Sequence, residues 1–140
     1  GEAPSWRVSR SHSRGVGAAL VGTGPLGVDV EYVGKPRPWR AILGHYLGRD
    51  PGPVDSDFAC RIWTFLEAWY KATGAWPDPR RIEEAMGGQT RFEGPLGPLS
   101  WFDWDELEGF SISVVQQQAL EPAWFIELGG EPSSASAAAI

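Results

Sequence analysis

Cysteine and methionine each occur once in this 140-residue chain, and charged residues make up only 21% of it. A lone cysteine, Cys60, closes no intramolecular disulfide and builds no cysteine-rich zinc site. It lies in an apolar run with Phe58, Ala59 and Ile62, so a buried structural thiol is expected. No apolar run approaches the roughly 20 residues of a membrane helix, and the N-terminal stretch GEAPSWRVSR lacks the basic-then-apolar order of a signal peptide. A soluble, cytoplasmic protein is expected, with no membrane partner. There is no Gly-rich phosphate loop and no basic-aromatic array of the kind that binds nucleic acid. The six glycines between positions 15 and 34 fall at strand and turn positions and are read as supplying backbone freedom.

What is present argues for one folded domain. Hydrophobic residues make up 42% of the chain, with eight Trp, six Phe and three Tyr, and each buried aromatic removes roughly 150–250 Å² from water. The formal charge is −6, but residues 1–49 carry a net +4 and the remainder a net −10. An anionic partner is expected to meet the basic N-terminal third.

Along the chain, Trp6 to His12 and Gly15 to Val21 read as short strands, with a turn at Gly22-Thr-Gly-Pro25. Leu26 to Val33 alternates through its centre, with Val28 and Val30 on one side and Asp29 and Glu31 on the other. Helices are expected over Trp39–Leu47 and Ser56–Thr73, the latter capped by Asp55 or Ser56 and stopped by Gly74. Its apolar positions Phe58, Ile62, Phe65, Leu66 and Trp69 fall on helical spacing. A short helix over Arg80–Met86 and strands over Thr90–Glu93, Phe110–Gln117 and Ala123–Leu128 complete the reading. A domain over 1–130 and a disordered tail over 131–140 are expected.

Three carboxylates and a lysine form the informative constellation. Asp29 and Glu31 share a strand face and repel unless something cationic lies between them. Alone, they are two solvated side chains. Glu67 and Lys71 sit four apart on one helix side and, alone, make an ordinary surface pair. Together the three carboxylates are the oxygen donors that a hard cation such as Mg²⁺ takes, with water and phosphate in the other positions. His12, alone an ordinary strand-end histidine, has Arg10 and Arg14 beside it, a set that donates to phosphate oxygens. His45 reads as a partly exposed helix residue. Asp103, Asp105, Glu106 and Glu108, around Trp101 and Trp104, read as a solvated loop, with a second metal site or a partner surface as the alternative.

Ser11-His-Ser13, Gly27-Val-Asp-Val-Glu31 and Trp63-Thr-Phe-Leu-Glu-Ala-Trp-Tyr-Lys71 resemble the motifs of 4′-phosphopantetheinyl transferases of the surfactin-synthetase-activating type. The family motifs read approximately G-[IV]-D-[IV]-E and W-[ST]-x-K-E-[AS]-x-x-K. The first matches fully. The second departs once, at Leu66, where the family usually has lysine. Glu31 and Glu67 are 36 residues apart, a family-like spacing, and the resemblance runs from Val8 to Leu128.

The resemblance implies an α+β fold in which an antiparallel sheet packs against a long helix. It also implies one lobe of a two-lobed architecture, so pairing with a second copy is expected. The implied activity is Mg²⁺-dependent transfer of phosphopantetheine from coenzyme A to a serine of an acyl or peptidyl carrier protein, that is, holo-acyl-carrier-protein synthase activity. In that scheme Asp29, Glu31 and Glu67 hold the metal. Glu67 is the general base, with Lys71 beside it in the catalytic set, and Ser11, His12, Arg14 and Lys71 bind the coenzyme A phosphates. The alternative is a non-catalytic relative that binds a carrier protein or a coenzyme A fragment.

Overall fold

The computed structural model describes residues 5–117, 123–128 and 138–139, the last two stretches by their backbone alone. The chain runs β1 (Arg7–Ser13), β2 (Val16–Gly22), β3 (Leu26–Tyr32), α1 (Trp39–Leu47), α2 (Ser56–Thr73), α3 (Pro79–Met86), β4 (Arg91–Gly94), β5 (Gly97–Trp104), β6 (Phe110–Gln117), β7 (Ala123–Leu128) and β8 (Ala138–Ala139). The fold is α+β with antiparallel pairing throughout. Apart from the two residues of β8, the tail expected to be disordered lies outside the described residues. No described helix is long and apolar enough to cross a membrane.

Among the described residues two four-stranded sheets form where one was expected, in the orders β1-β2-β7-β8 and β3-β6-β5-β4. β1 and β2 join through a tight turn in which Arg14 and Gly15 both have positive φ, 46° and 79°. β3 does not extend this hairpin. It is the edge of the second sheet, and its outward amides are satisfied by side chains of β1. Val28 N–H donates to Ser9 Oγ, Val30 N–H to Ser11 Oγ and Tyr32 N–H to Ser13 Oγ, each at 3.0 Å. Serines at every second position of β1 share one face and do the work of a missing neighbour strand.

The alternation of β3 places Val28 and Val30 in a core with Leu20, Ile112 and Val114. Its other face, carrying Gly27, Asp29 and Glu31, lies beneath α2. That helix begins where Asp55 accepts the Phe58 amide and ends at Gly74 in the left-handed conformation. Phe65, Leu66, Ile62 and Trp69 bury its apolar stripe with Trp101 and Phe92, and fully burying one such side chain contributes about 1.5–3 kcal/mol. Cys60 is fully buried in this core. Burial pushes its thiol up to about 12, in keeping with a structural role.

α2 comes unusually close to β3 at Gly27, where an added Cβ would lie 2.0 Å from the Ala68 carbonyl oxygen and 2.8 Å from the Ala72 amide nitrogen. This corrects the expectation that the early glycines supply conformational freedom. Of the six, only Gly15 has positive φ, and Gly27 is there for space. A second correction concerns residues 97–104, which form β5, a strand paired on both sides across part of the stretch read as an acidic loop. Trp101 is buried, and its indole donates to Ser113 Oγ at 3.0 Å. Ser113 and Ser111 also meet Thr64 of α2, at 2.7 and 3.0 Å, so the polar groups between α2 and β6 satisfy one another.

Candidate active site

The site is the seam where β1, β3 and α2 meet. Gly27 lets α2 down onto β3, and that approach sets Lys71 and Glu67 above Asp29 and Glu31. Asp29 is only 6% exposed, so the reading of a solvated carboxylate pair does not hold for it. Its Oδ1 accepts from the Ser11 hydroxyl at 3.0 Å and from the Lys71 ammonium at 3.4 Å. Its Oδ2 is buried and has no hydrogen-bond partner among the described residues. Such an atom costs about 1–3 kcal/mol, more when charged.

The surface pair expected between Lys71 and Glu67 does not form among the described residues, because the lysine turns instead to the strands beneath its helix. Its ammonium donates to the Val28 carbonyl at 2.9 Å, to the Arg10 carbonyl at 3.0 Å and to Asp29. Each of its three donors thus faces an oxygen, and one side chain ties α2 to β1 and β3. Glu31 pairs with Arg37 at 3.1 Å, both side chains being largely covered. Arg37 was not foreseen, because it lies in a loop, between Pro36 and Pro38, with no motif around it. Ser9 was also missed, although serines at 9, 11 and 13 with period two on a strand were a readable signal.

Burial shifts the acids of the seam. Burial raises the Asp29 carboxyl to about 7, against the lowering pull of Lys71 and the Ser11 hydrogen bond, with Glu67 and Glu31 adding to the rise. Glu67 is also raised, chiefly by burial and further by Glu31, while Lys71 and Arg37 pull it down. Tyr46 of α1 is raised by burial and by Glu67. The three expected carboxylates therefore feel one another. Perturbed acids near one another occur at catalytic and ion-binding sites and in structural ion-pair networks alike.

The structure does not bring every expected residue here. His12 is exposed and projects from the face of β1 opposite Ser11. The Arg14 guanidinium lies over the Tyr32 ring, 4.6 Å from its centroid, beyond the Glu31 end of the strand. Leu66 is fully buried in the core and offers no room for a lysine. On the other side, Arg7 and Lys71 line two adjoining cavities of about 340 and 560 Å³, the larger also reached by Arg10 and Ser9. The basic N-terminal segment thus borders the seam through Arg7 and Arg10 rather than through His12.

Among the described residues, no three His, Cys, Asp or Glu side chains converge as a ready-made metal cage. Mg²⁺ does not require one, since it is commonly held by one or two carboxylates with waters and substrate phosphates completing its shell. Asp29 fits that part, because its buried Oδ2 lacks the partner a cation would be. Glu67, half-buried and raised, fits as the second oxygen donor, whereas Glu31 is engaged by Arg37.

No protein-family model matches the chain, and no curated protein matches it at a significant level.

Proposed function

We propose that the chain transfers phosphopantetheine from coenzyme A to a serine hydroxyl of an acyl or peptidyl carrier protein. The observation that carries this reading is the buried, partnerless Oδ2 of Asp29, set beside the raised Glu67 and the tethered Lys71, on the motifs that resemble the transferase family. The α+β fold with a long helix against an antiparallel sheet is compatible with it.

Mg²⁺ held at Asp29 and Glu67 would neutralise charge on the pyrophosphate oxygens during transfer. Glu67 accepts the proton of the incoming serine hydroxyl. Its oxygen then bonds to the phosphorus that bears the pantetheine arm, and the bond from that phosphorus to the bridging oxygen breaks. Adenosine 3′,5′-bisphosphate leaves with the electron pair. A carboxylate base in reach of the hydroxyl contributes roughly 10²–10⁴-fold. Arg7 and Arg10 supply fixed positive charge at the cavities beside Lys71, which favours an anionic ligand on that side.

A second reading has its own observation. Glu31 is already paired with Arg37, and every donor of Lys71 already has an acceptor. A site so internally satisfied suits a relative that binds coenzyme A or a carrier protein without transfer. Mass spectrometry of an apo carrier protein after incubation with coenzyme A, Mg²⁺ and this chain separates the two. A gain of one phosphopantetheine supports the transferase. Calorimetric binding of coenzyme A with no gain, over several carriers and at high protein concentration, supports the binding-only relative.

A further inference from the structure

We infer that Ser11 is a positioning residue for Asp29, holding the carboxylate by Oδ1 so that Oδ2 is presented to the cation, and is not itself a phosphate contact. The inference rests on the proposed Mg²⁺ site. Its basis is a difference among three otherwise equivalent serines. Ser9, Ser11 and Ser13 each accept one outward amide of β3 at 3.0 Å, so all three have the same structural duty. Among the described residues only Ser11 of the three has a second partner, donating to Asp29 Oδ1 at 3.0 Å.

A serine hydroxyl has one proton to donate. For Ser11 that proton is committed to Asp29, and one of its lone pairs is committed to Val30 N–H. Nothing is left to donate to a phosphate oxygen. The two bonds instead fix the hydroxyl between a rigid backbone amide and the carboxylate. With Lys71 approaching the same oxygen at 3.4 Å, Oδ1 is doubly occupied and Oδ2 has no partner. Partners of this kind, which orient a ligating carboxylate, are worth roughly 10–100-fold in metal affinity.

The other two serines are the internal control. Mg²⁺ titrated calorimetrically into the full chain, at one mildly alkaline pH, gives a Kd for the wild type and for Ser9→Ala, Ser11→Ala and Ser13→Ala. Thermal melts are recorded alongside. All three alanine variants are expected to melt earlier, since each leaves one β3 amide without its acceptor. Only Ser11→Ala is expected to weaken Mg²⁺ binding, by about 10–100-fold, and Ser11→Thr, which keeps the hydroxyl, is expected to restore it. Should Ser11→Ala not fold, Ser11→Cys fills the same space with a weak donor and must show the same selective loss. A Kd for the Ser11 variant equal to those of the Ser9 and Ser13 variants overturns the inference alone. Absence of Mg²⁺ binding by the wild type overturns the metal site and the inference with it.

Discussion

The Lys71 ammonium stands 3.4 Å from Asp29 Oδ1 while donating to the carbonyls of Val28 and Arg10 at 2.9 and 3.0 Å. A helix-end cation thereby fastens two strands from different sheets and leans on a buried acid. Lys71→Met removes all three contacts and leaves Asp29 with Ser11 as its one donor. Hydrogen bonds to charged groups contribute about 1.5–3 kcal/mol each when buried. The Lys71 side chain is 29% exposed, so the expected loss is about 2 kcal/mol in all, read by urea denaturation. An unchanged midpoint would show that the lysine does not hold the seam.

Metal-free stability should depend on pH through Asp29. In the fold its carboxyl keeps a proton up to about pH 7, whereas its ordinary value is 3.8. Between those values the folded chain binds a proton that the unfolded chain has released, so stability is greatest at the acid end and declines as pH rises towards 7. A shift of about three units corresponds to something on the order of 4 kcal/mol. Asp29→Asn should flatten this part of the profile, and Mg²⁺ should restore stability to the wild type near neutral pH. Parallel profiles for wild type and Asn variant would place the buried charge elsewhere.

Gly27→Ala puts a methyl group 2.0 Å from the Ala68 carbonyl oxygen. Neither backbone can yield without lifting α2 from β3, so overpacking at the upper end of its range, about 3 kcal/mol, is expected. Gly87, with φ of −80° and nothing nearer than 3.5 Å to an added Cβ, is the contrast. Gly87→Ala should be neutral or stabilising by up to about 1 kcal/mol. Comparable losses at the two positions, measured by thermal melts, would contradict the close approach.

Leu66→Lys places the residue usual in the resembling family at a fully buried position. An unpaired ammonium there costs several kcal/mol. A large fall in melting temperature is expected, with no gain in coenzyme A affinity. Wild-type stability would show that the helix can turn this position outward.

Much of this was readable before the fold. Asp55, Gly74 and the apolar spacing between them define α2 because capping and burial are local properties. The alternation of Val28, Asp29, Val30 and Glu31 defines the two faces of β3 for the same reason. β5 was hidden because Pro98 and Asp103 lie within it and only Leu99 and Trp101 point inward, too short a pattern to outweigh the acidic stretch that follows. The split into two sheets depends on serine hydroxyls standing in for a strand, which no propensity records. Within the site, the motif spacing picked out Asp29, Glu31, Glu67 and Lys71. The pairing of Arg37 with Glu31 and the outward face of His12 are set by tertiary packing.

The direct test of the central claim compares wild type with Glu67→Gln. Among the described residues Glu67 makes no hydrogen bond that Gln would break, so the variant should melt no earlier than the wild type. In the carrier-protein mass assay with coenzyme A and Mg²⁺, the wild type is expected to add one phosphopantetheine and the variant to be slower by roughly 10² or more. Equal rates for the two, with the variant melting no earlier, would contradict the account.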